Sequence, residues 1–120
     1  MKTLKKISIL TTLLVFCLST FAESKDKKKV KTIEFTVSGV CNMCENRIEN
    51  AAQIKGVKLT DWNKETQKLK VIFNPEKAEE MAIHKAVAKA GHDTDKVKAT
   101  DEAYDKLHEC CKYRDGLEIH

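Results

Sequence analysis

Two cysteines separated by two residues, Cys41 and Cys44 in the stretch Gly39-Val40-Cys41-Asn42-Met43-Cys44, are the side chains whose type and spacing could do chemistry here. An alternating run precedes them and a helix-periodic run follows. Cys41 therefore falls on a loop and Cys44 at or just inside a helix N-terminus. Unpaired N–H groups and the helix dipole favour a thiolate at that position. Two thiolates converging on one helix end can grip a soft metal ion. They can equally work as a dithiol/disulfide pair. A site of two thiolates suits ions content with near-linear coordination, Cu(I) first and Hg(II) second. Zn(II) comes third because it prefers four tetrahedral ligands. An open, exposed pair would also let a partner's thiols enter and take the ion.

The elements that must position this pair follow from the hydrophobic pattern. Ile33, Phe35 and Val37 alternate with Glu34 and Thr36, a half-buried strand ended by Gly39. A helix over Cys44 to Gln53 puts Ile48, Ala51 and Ala52 on one face, and Gly56 stops it. Val57 to about Trp62 forms a second strand. After the polar turn at residues 63–66, Leu69, Val71 and Phe73 alternate with Lys68, Lys70 and Ile72 in a third. Asn74-Pro75 breaks that strand. A second helix runs from about Glu76 to Ala90, with Ile83, Ala86, Val87 and Ala90 on one face and Gly91 as its cap. A short fourth strand is expected at residues 94–99, around Val97. The order β-α-β-β-α-β predicts an α+β, ferredoxin-like sandwich: a four-stranded antiparallel sheet with both helices on one face, followed by a short helical C-terminal extension.

Length and composition narrow the function. A chain of 120 residues supplies one domain, and with 33% charged and 6% aromatic residues its core must be small and mostly aliphatic. Lys2, Lys5 and Lys6 before the apolar stretch Ile7 to Leu18, and Thr20-Phe21-Ala22 after it, read as a signal peptide over residues 1–22. The charged stretch 23–30 is a linker. Setting those three lysines aside lowers the formal charge from +4 to +1. Nothing there calls for nucleic acid, and no pattern suggests a small-molecule substrate. The expected location is periplasmic or secreted, after cleavage near Ala22, where thiols tend to be oxidised.

Gly39-Val40-Cys41-x-x-Cys44, a helix ending in Gly56-Val57, then Asn74-Pro75, then a helix ending in Gly91 resembles the heavy-metal-associated domain. The resemblance covers residues 31–99. That family includes soluble copper chaperones, modules of copper-exporting ATPases and periplasmic mercuric-ion binding proteins. The resemblance implies a metal held by Cys41 and Cys44 and transferred to a membrane metal transporter or another metal-binding domain. The family's usual Gly-Met-Thr-Cys is shortened here to Gly39-Val40-Cys41, with Met43 lying between the cysteines.

Accessory residues follow from topology. The loop after the second helix shares an end of the fold with the cysteine loop, so His92 is a candidate third ligand or pH-sensitive modulator. The alternative is a solvent-exposed residue past a helix cap. Met43 reads as an inward loop anchor, with thioether ligation as the alternative, and His84 as a solvent-facing helix residue. The tail, residues 100–120, carries Cys110 and Cys111. Thr100 can cap a helix from Asp101 to about Cys110, rising about 13–15 Å. A five-residue strand spans about 17 Å, so the tail could bring both cysteines back to Cys41 and Cys44. Adjacent cysteines are poor disulfide partners, because their Cα atoms stand only about 3.8 Å apart. A second thiol site, help for the first, a disulfide from tail to loop, a zinc site using both pairs, and plain packing all remain open. His108, three residues before Cys111, could join such a site. Arg114 to His120 look frayed.

The enzyme alternative is a thiol–disulfide oxidoreductase. No tryptophan precedes Cys41, and the one proline, Pro75, sits in a strand-to-helix turn rather than beside the dithiol. A non-enzymatic metal carrier is therefore the expectation, with a metal scavenger or sensor as its variant.

Overall fold

The computed structural model describes residues 29–120. The expected signal peptide, and the linker as far as residue 28, lie outside the described residues. The alternating runs form β1 (Lys31–Thr36), β2 (Val57–Asn63) and β3 (Lys68–Phe73), and the helical runs form α1 (Asn42–Ala52) and α2 (Glu80–Lys89). The sheet is antiparallel in the order β1-β3-β2, with Phe35 opposite Leu69 and Ile33 opposite Val71. That register sets the apolar positions of both strands on one face, because side chains alternate with period two. Leu69, Val71 and Phe73 are buried, whereas Lys68 and Lys70 are exposed. Cys44, Ile48 and Ala52 of α1, together with Ile83 and Val87 of α2, close over that face in one continuous apolar cluster.

Three expectations are corrected. First, the segment 94–99 is not a strand. The Thr94 hydroxyl accepts hydrogen bonds from the N–H groups of Lys96 (3.1 Å) and Val97 (2.9 Å), and Asp93 accepts one from the N–H of Ala99 (2.7 Å). These short-range bonds to side chains offer the backbone an alternative to a ladder. A single antiparallel bridge, Val37 to Thr94, survives beside β1, and the sheet of the described residues has three strands. Second, α2 begins at Glu80 rather than Glu76. Asn74 ties residues 74–78 into a separate turn, its side chain accepting from the N–H of Glu76 and its carbonyl from Lys77 and Ala78. Third, His84 does not face solvent. It is fully buried and stacks on Phe35, ring centroids 3.7 Å apart.

The tail also departs from a single helix. Thr100 caps α3, its hydroxyl accepting from the N–H of Ala103 at 3.1 Å, but α3 spans only Asp101–Asp105. Two one-turn 3₁₀ segments follow, Glu109–Cys111 and Tyr113–Asp115. The chain turns there because the end of α3 docks on Gly91. A Cβ at Gly91 would lie 2.9 Å from the Ala103 carbonyl oxygen and 2.9 Å from a Leu107 methyl, and its backbone has φ of +108°. Only glycine accommodates both the contact and that torsion. Among the described residues, no helix is long and apolar enough to cross a membrane.

Candidate metal centre

The cysteine loop is braced before α1 begins. Gly39 lies against the Trp62 indole, where a Cβ would come within 2.9 Å of the ring. The Gln67 side chain takes both backbone groups of Gly39, accepting from its N–H at 3.0 Å and donating to its carbonyl at 2.8 Å. Gln67 reaches across because its backbone sits in the left-handed region, φ +65°. The Trp62 indole N–H donates to the Val37 carbonyl at 3.0 Å. Strand β1, the turn before β3 and the end of β2 therefore hold the loop from three sides.

Cys41 is the N-cap residue of α1, in extended conformation, and Cys44 stands in the first turn. Their sulfurs are 3.3 Å apart. The Val40 N–H points at the Cys44 sulfur from 3.5 Å. The tail brings Cys111 to the same place, its Sγ 3.4 Å from that of Cys41. The sulfurs of Cys41, Cys44 and Cys111 all lie within 4.8 Å of one another, and the three residues are buried. Cys110 is farther out, 4.0 Å from the Cys41 sulfur and 3.9 Å from that of Cys111. The pair is thus covered by the tail, not open as the sequence suggested. All four cysteines among the described residues are free thiols. Three converging sulfurs without hard oxygen donors fit a soft ion.

The thiols do not titrate alike. Burial pushes Cys41 up, but hydrogen bonds from the Cys44 backbone N–H, the Cys44 and Cys111 thiols and the Met43 N–H outweigh it, and the group falls to about 7. Burial raises Cys44. Burial and the bond shared with Cys44 raise Cys111 to about 12, against the pull of Arg47. Cys41, at the helix N-terminus, is therefore the thiol of the cluster that ionises most readily.

The other expected residues are placed differently. His92 is fully buried at this end of the fold, but its Nδ1 bonds the Ser38 carbonyl at 2.8 Å and its ring stacks on Tyr113. Its nitrogens are not among the ligand atoms that cluster within 4.8 Å. Burial lowers its pKa to about 4, opposed by the bond to Ser38, so it stays neutral near pH 7 and is no switch there. Met43 is not an inward anchor. It is 42% exposed, with its sulfur 3.5 Å from that of Cys110. His108 is exposed, sits in extended conformation ahead of the 3₁₀ turn at residues 109–111, and is not among the ligand atoms that cluster with Cys111.

Sequence reasoning missed Arg47, Gln67, Tyr113 and Arg114. Arg47 donates to the Cys111 sulfur from 3.4 Å. The Tyr113 hydroxyl donates to the Gly91 carbonyl at 2.7 Å and accepts from the Asp93 N–H at 2.9 Å. Arg114 pairs with Asp93 at 2.8 Å and bonds the Ala99 carbonyl at 2.8 Å. The end of the chain is tied down as well, the His120 N–H donating to the Val40 carbonyl at 2.8 Å. The segment read as frayed is the clasp of the tail. Its signal was the run Lys112-Tyr113-Arg114 that follows the cysteine pair.

The heavy-metal-associated domain family matches this chain over residues 34–93. The match takes in Cys41 and Cys44 and stops short of the tail. Among solved structures, the CopZ metallochaperone is 26% identical, covering 53% of this chain and 98% of its own, with a TM-score of 0.52. Oxidized MerP from Ralstonia metallidurans CH34 is 28% identical over 56% of this chain and 96% of its own, TM-score 0.53. The N-terminal domain of a potential copper-translocating P-type ATPase from Bacillus subtilis, in its Cu(I)-loaded state, is 31% identical over 55% and 85%, TM-score 0.52. Among curated proteins, none matches the chain.

Proposed function

Because the chain belongs to the heavy-metal-associated domain family, we propose that it binds a soft metal ion through Cys41 and Cys44 and passes it to a partner by ligand exchange. The observation that carries this reading is the pair of sulfurs 3.3 Å apart at the start of α1, with Cys41 lowered to about 7. The cargo is Cu(I) first, with Hg(II) as the second choice. The neighbours include both a Cu(I)-loaded domain and MerP. Thiolate softness favours these ions over magnesium, calcium or manganese. A partner fits the same chemistry: another metal-binding domain or a membrane transporter that presents thiols of its own. The protein works as a carrier and not as an enzyme. It does so outside the cytoplasm, periplasmic or secreted, as a mature chain whose N-terminal sequencing would start at Glu23.

Anaerobic titration of the reduced mature protein with Cu(I), Hg(II) and Zn(II), repeated on Cys41→Ser, tests the reading. Tight Cu(I) or Hg(II) binding is expected, and Cys41→Ser should abolish it. Undiminished tight binding by that variant would sink the proposal. The lowered Cys41 thiol also favours a second reading, a thiol–disulfide oxidoreductase. Robust disulfide reductase turnover by the metal-free protein would favour it instead.

A further inference from the structure

The tail lies outside the matched residues 34–93, yet it places a buried sulfur against the family pair. We propose that Cys111 is a third metal ligand, so that this protein holds its ion in a three-sulfur site closed by its own tail. The proposal rests on the reading that Cys41 and Cys44 bind a soft ion.

Geometry supports it first. Around an ion with metal–sulfur bonds of about 2.3 Å, a linear pair of sulfurs stands about 4.6 Å apart and a trigonal set about 4.0 Å apart. The Cys41 sulfur has Cys44 at 3.3 Å and Cys111 at 3.4 Å, and all three lie within 4.8 Å. A trigonal site needs the two sulfurs nearest Cys41 to move away from it by about 0.6–0.7 Å. A linear site would need a wider opening of the Cys41–Cys44 pair with the Cys111 sulfur still beside it. An ion bonded to that pair meets a third sulfur facing it.

Electrostatics supports it second. Three thiolates around a monovalent or divalent ion leave a net negative charge, and a buried charge needs a partner. Arg47 supplies one, its Nη1 3.4 Å from the Cys111 sulfur. The placement of Cys111 is built, third. Tyr113 is bonded to Gly91 and Asp93, and Arg114 to Asp93 and Ala99, immediately after it in the chain. The Cys111 N–H donates to the His108 carbonyl at 2.8 Å. Cys110, by contrast, is only partly buried and sits at the mouth beside Met43.

The consequence is a guarded cargo. A partner's thiolate must form its metal–sulfur bond as the Cys111–metal bond breaks. The oxidation state of the ion does not change, and Cys111 takes up a proton from water on leaving. The tail occupies the position an incoming thiol would use, so release waits on its displacement.

X-ray absorption on the reduced full mature chain, loaded with one equivalent of Cu(I) or of Hg(II), reads the number of bound sulfurs directly. Three are expected for the wild type and for Cys110→Ala, and two for Cys111→Ala. Transfer of the ion from Cys111→Ala to a small dithiol chelator should be faster, and its affinity lower by about 10–100-fold or more, the range already seen for groups one shell farther from a metal. Two sulfurs in the wild type would overturn the third-ligand assignment and leave the Cys41–Cys44 site standing. Loss of the third sulfur in Cys110→Ala but not in Cys111→Ala would overturn it too. A wild-type chain that takes up neither ion would overturn the underlying function as well. Because a wild-type count of two overturns the assignment by itself, a variant that fails to fold does not remove the test.

Discussion

The domain over residues 34–93 and the tail over residues 100–120 carry cysteines to the same spot by different means. In the domain the work is done by apolar packing: Phe35, Ile48, Trp62, Leu69, Val71 and Ile83 are buried in one cluster. In the tail only Tyr104, Leu107 and Cys111 join that cluster fully. What fixes the tail is polar and point-like, the Tyr113 hydroxyl and the Arg114–Asp93 pair. A core shared among many side chains unfolds cooperatively, whereas a segment held by a few bonds can open by itself. Cys41 and Cys44 therefore sit on the rigid part and Cys111 on the part that can let go. For a carrier that must hold and then release an ion, that division is the useful one.

The largest effect expected is on the domain side. Trp62→Ala removes a side chain that is 1% exposed, along with its bond to Val37, beneath the cysteine loop. It should cost about 3–5 kcal/mol in a urea unfolding experiment. A loss near zero would mean that the loop is not held by this packing.

A smaller and differently shaped effect is expected from Tyr113→Phe. The ring stays, but the hydroxyl that joins Gly91 to Asp93 is gone. Leaving those groups unpaired should weaken tail docking by about 1–2 kcal/mol. Alkylation of Cys111, fully buried in the docked state, should then run roughly 5–30-fold faster. The unfolding midpoint of the domain should change far less than with Trp62→Ala. An equal fall of the midpoint in both variants would break the distinction between the two regions.

The smallest effect is one of pH. Burial raises the Asp93 carboxyl, but the bond from Arg114 and the N–H of Ala99 outweigh this and hold it below the ordinary aspartate value. A group whose folded pKa is depressed stabilises above its unfolded value, about 3.9, and that stabilisation is lost as pH falls through the lower folded value. Backbone amide NMR signals of residues 110–115 should therefore shift as pH falls below about 4, while those of β3 stay in place. Asp93→Asn should remove that pH dependence. The pair is three-quarters buried, at 23% and 22% side-chain exposure, so the contribution remains modest.

Legibility in the sequence followed the same division. The period-two runs of β1 and β3 and the helical repeat of α1 were readable because a continuous apolar face imposes them. The fourth strand was misread. Val97 supplied the pattern, but the Thr94 hydroxyl and the Asp93 carboxylate took the backbone N–H groups that a ladder would have used. His84, expected on the solvent side of the second helix, is instead fully buried. Its burial on Phe35 depends on how α2 lies on the sheet. Gln67 could not be found at all, since its grip on Gly39 needs a left-handed backbone in a turn whose residues do not demand one.

The sequence by itself determined the family, the order of the elements and the position of Cys41 and Cys44 at the head of a helix. Those features are local in the chain, set by hydrophobic period and by where glycine and proline interrupt it. Only the tertiary structure decided that Cys111 stands 3.4 Å from Cys41 while His92 turns its ring to Ser38. No local pattern could decide it, because residues 70 apart in the chain are brought together by a docked tail. That docking depends on a hydroxyl, an ion pair and a glycine contact that exist only once both partners are folded.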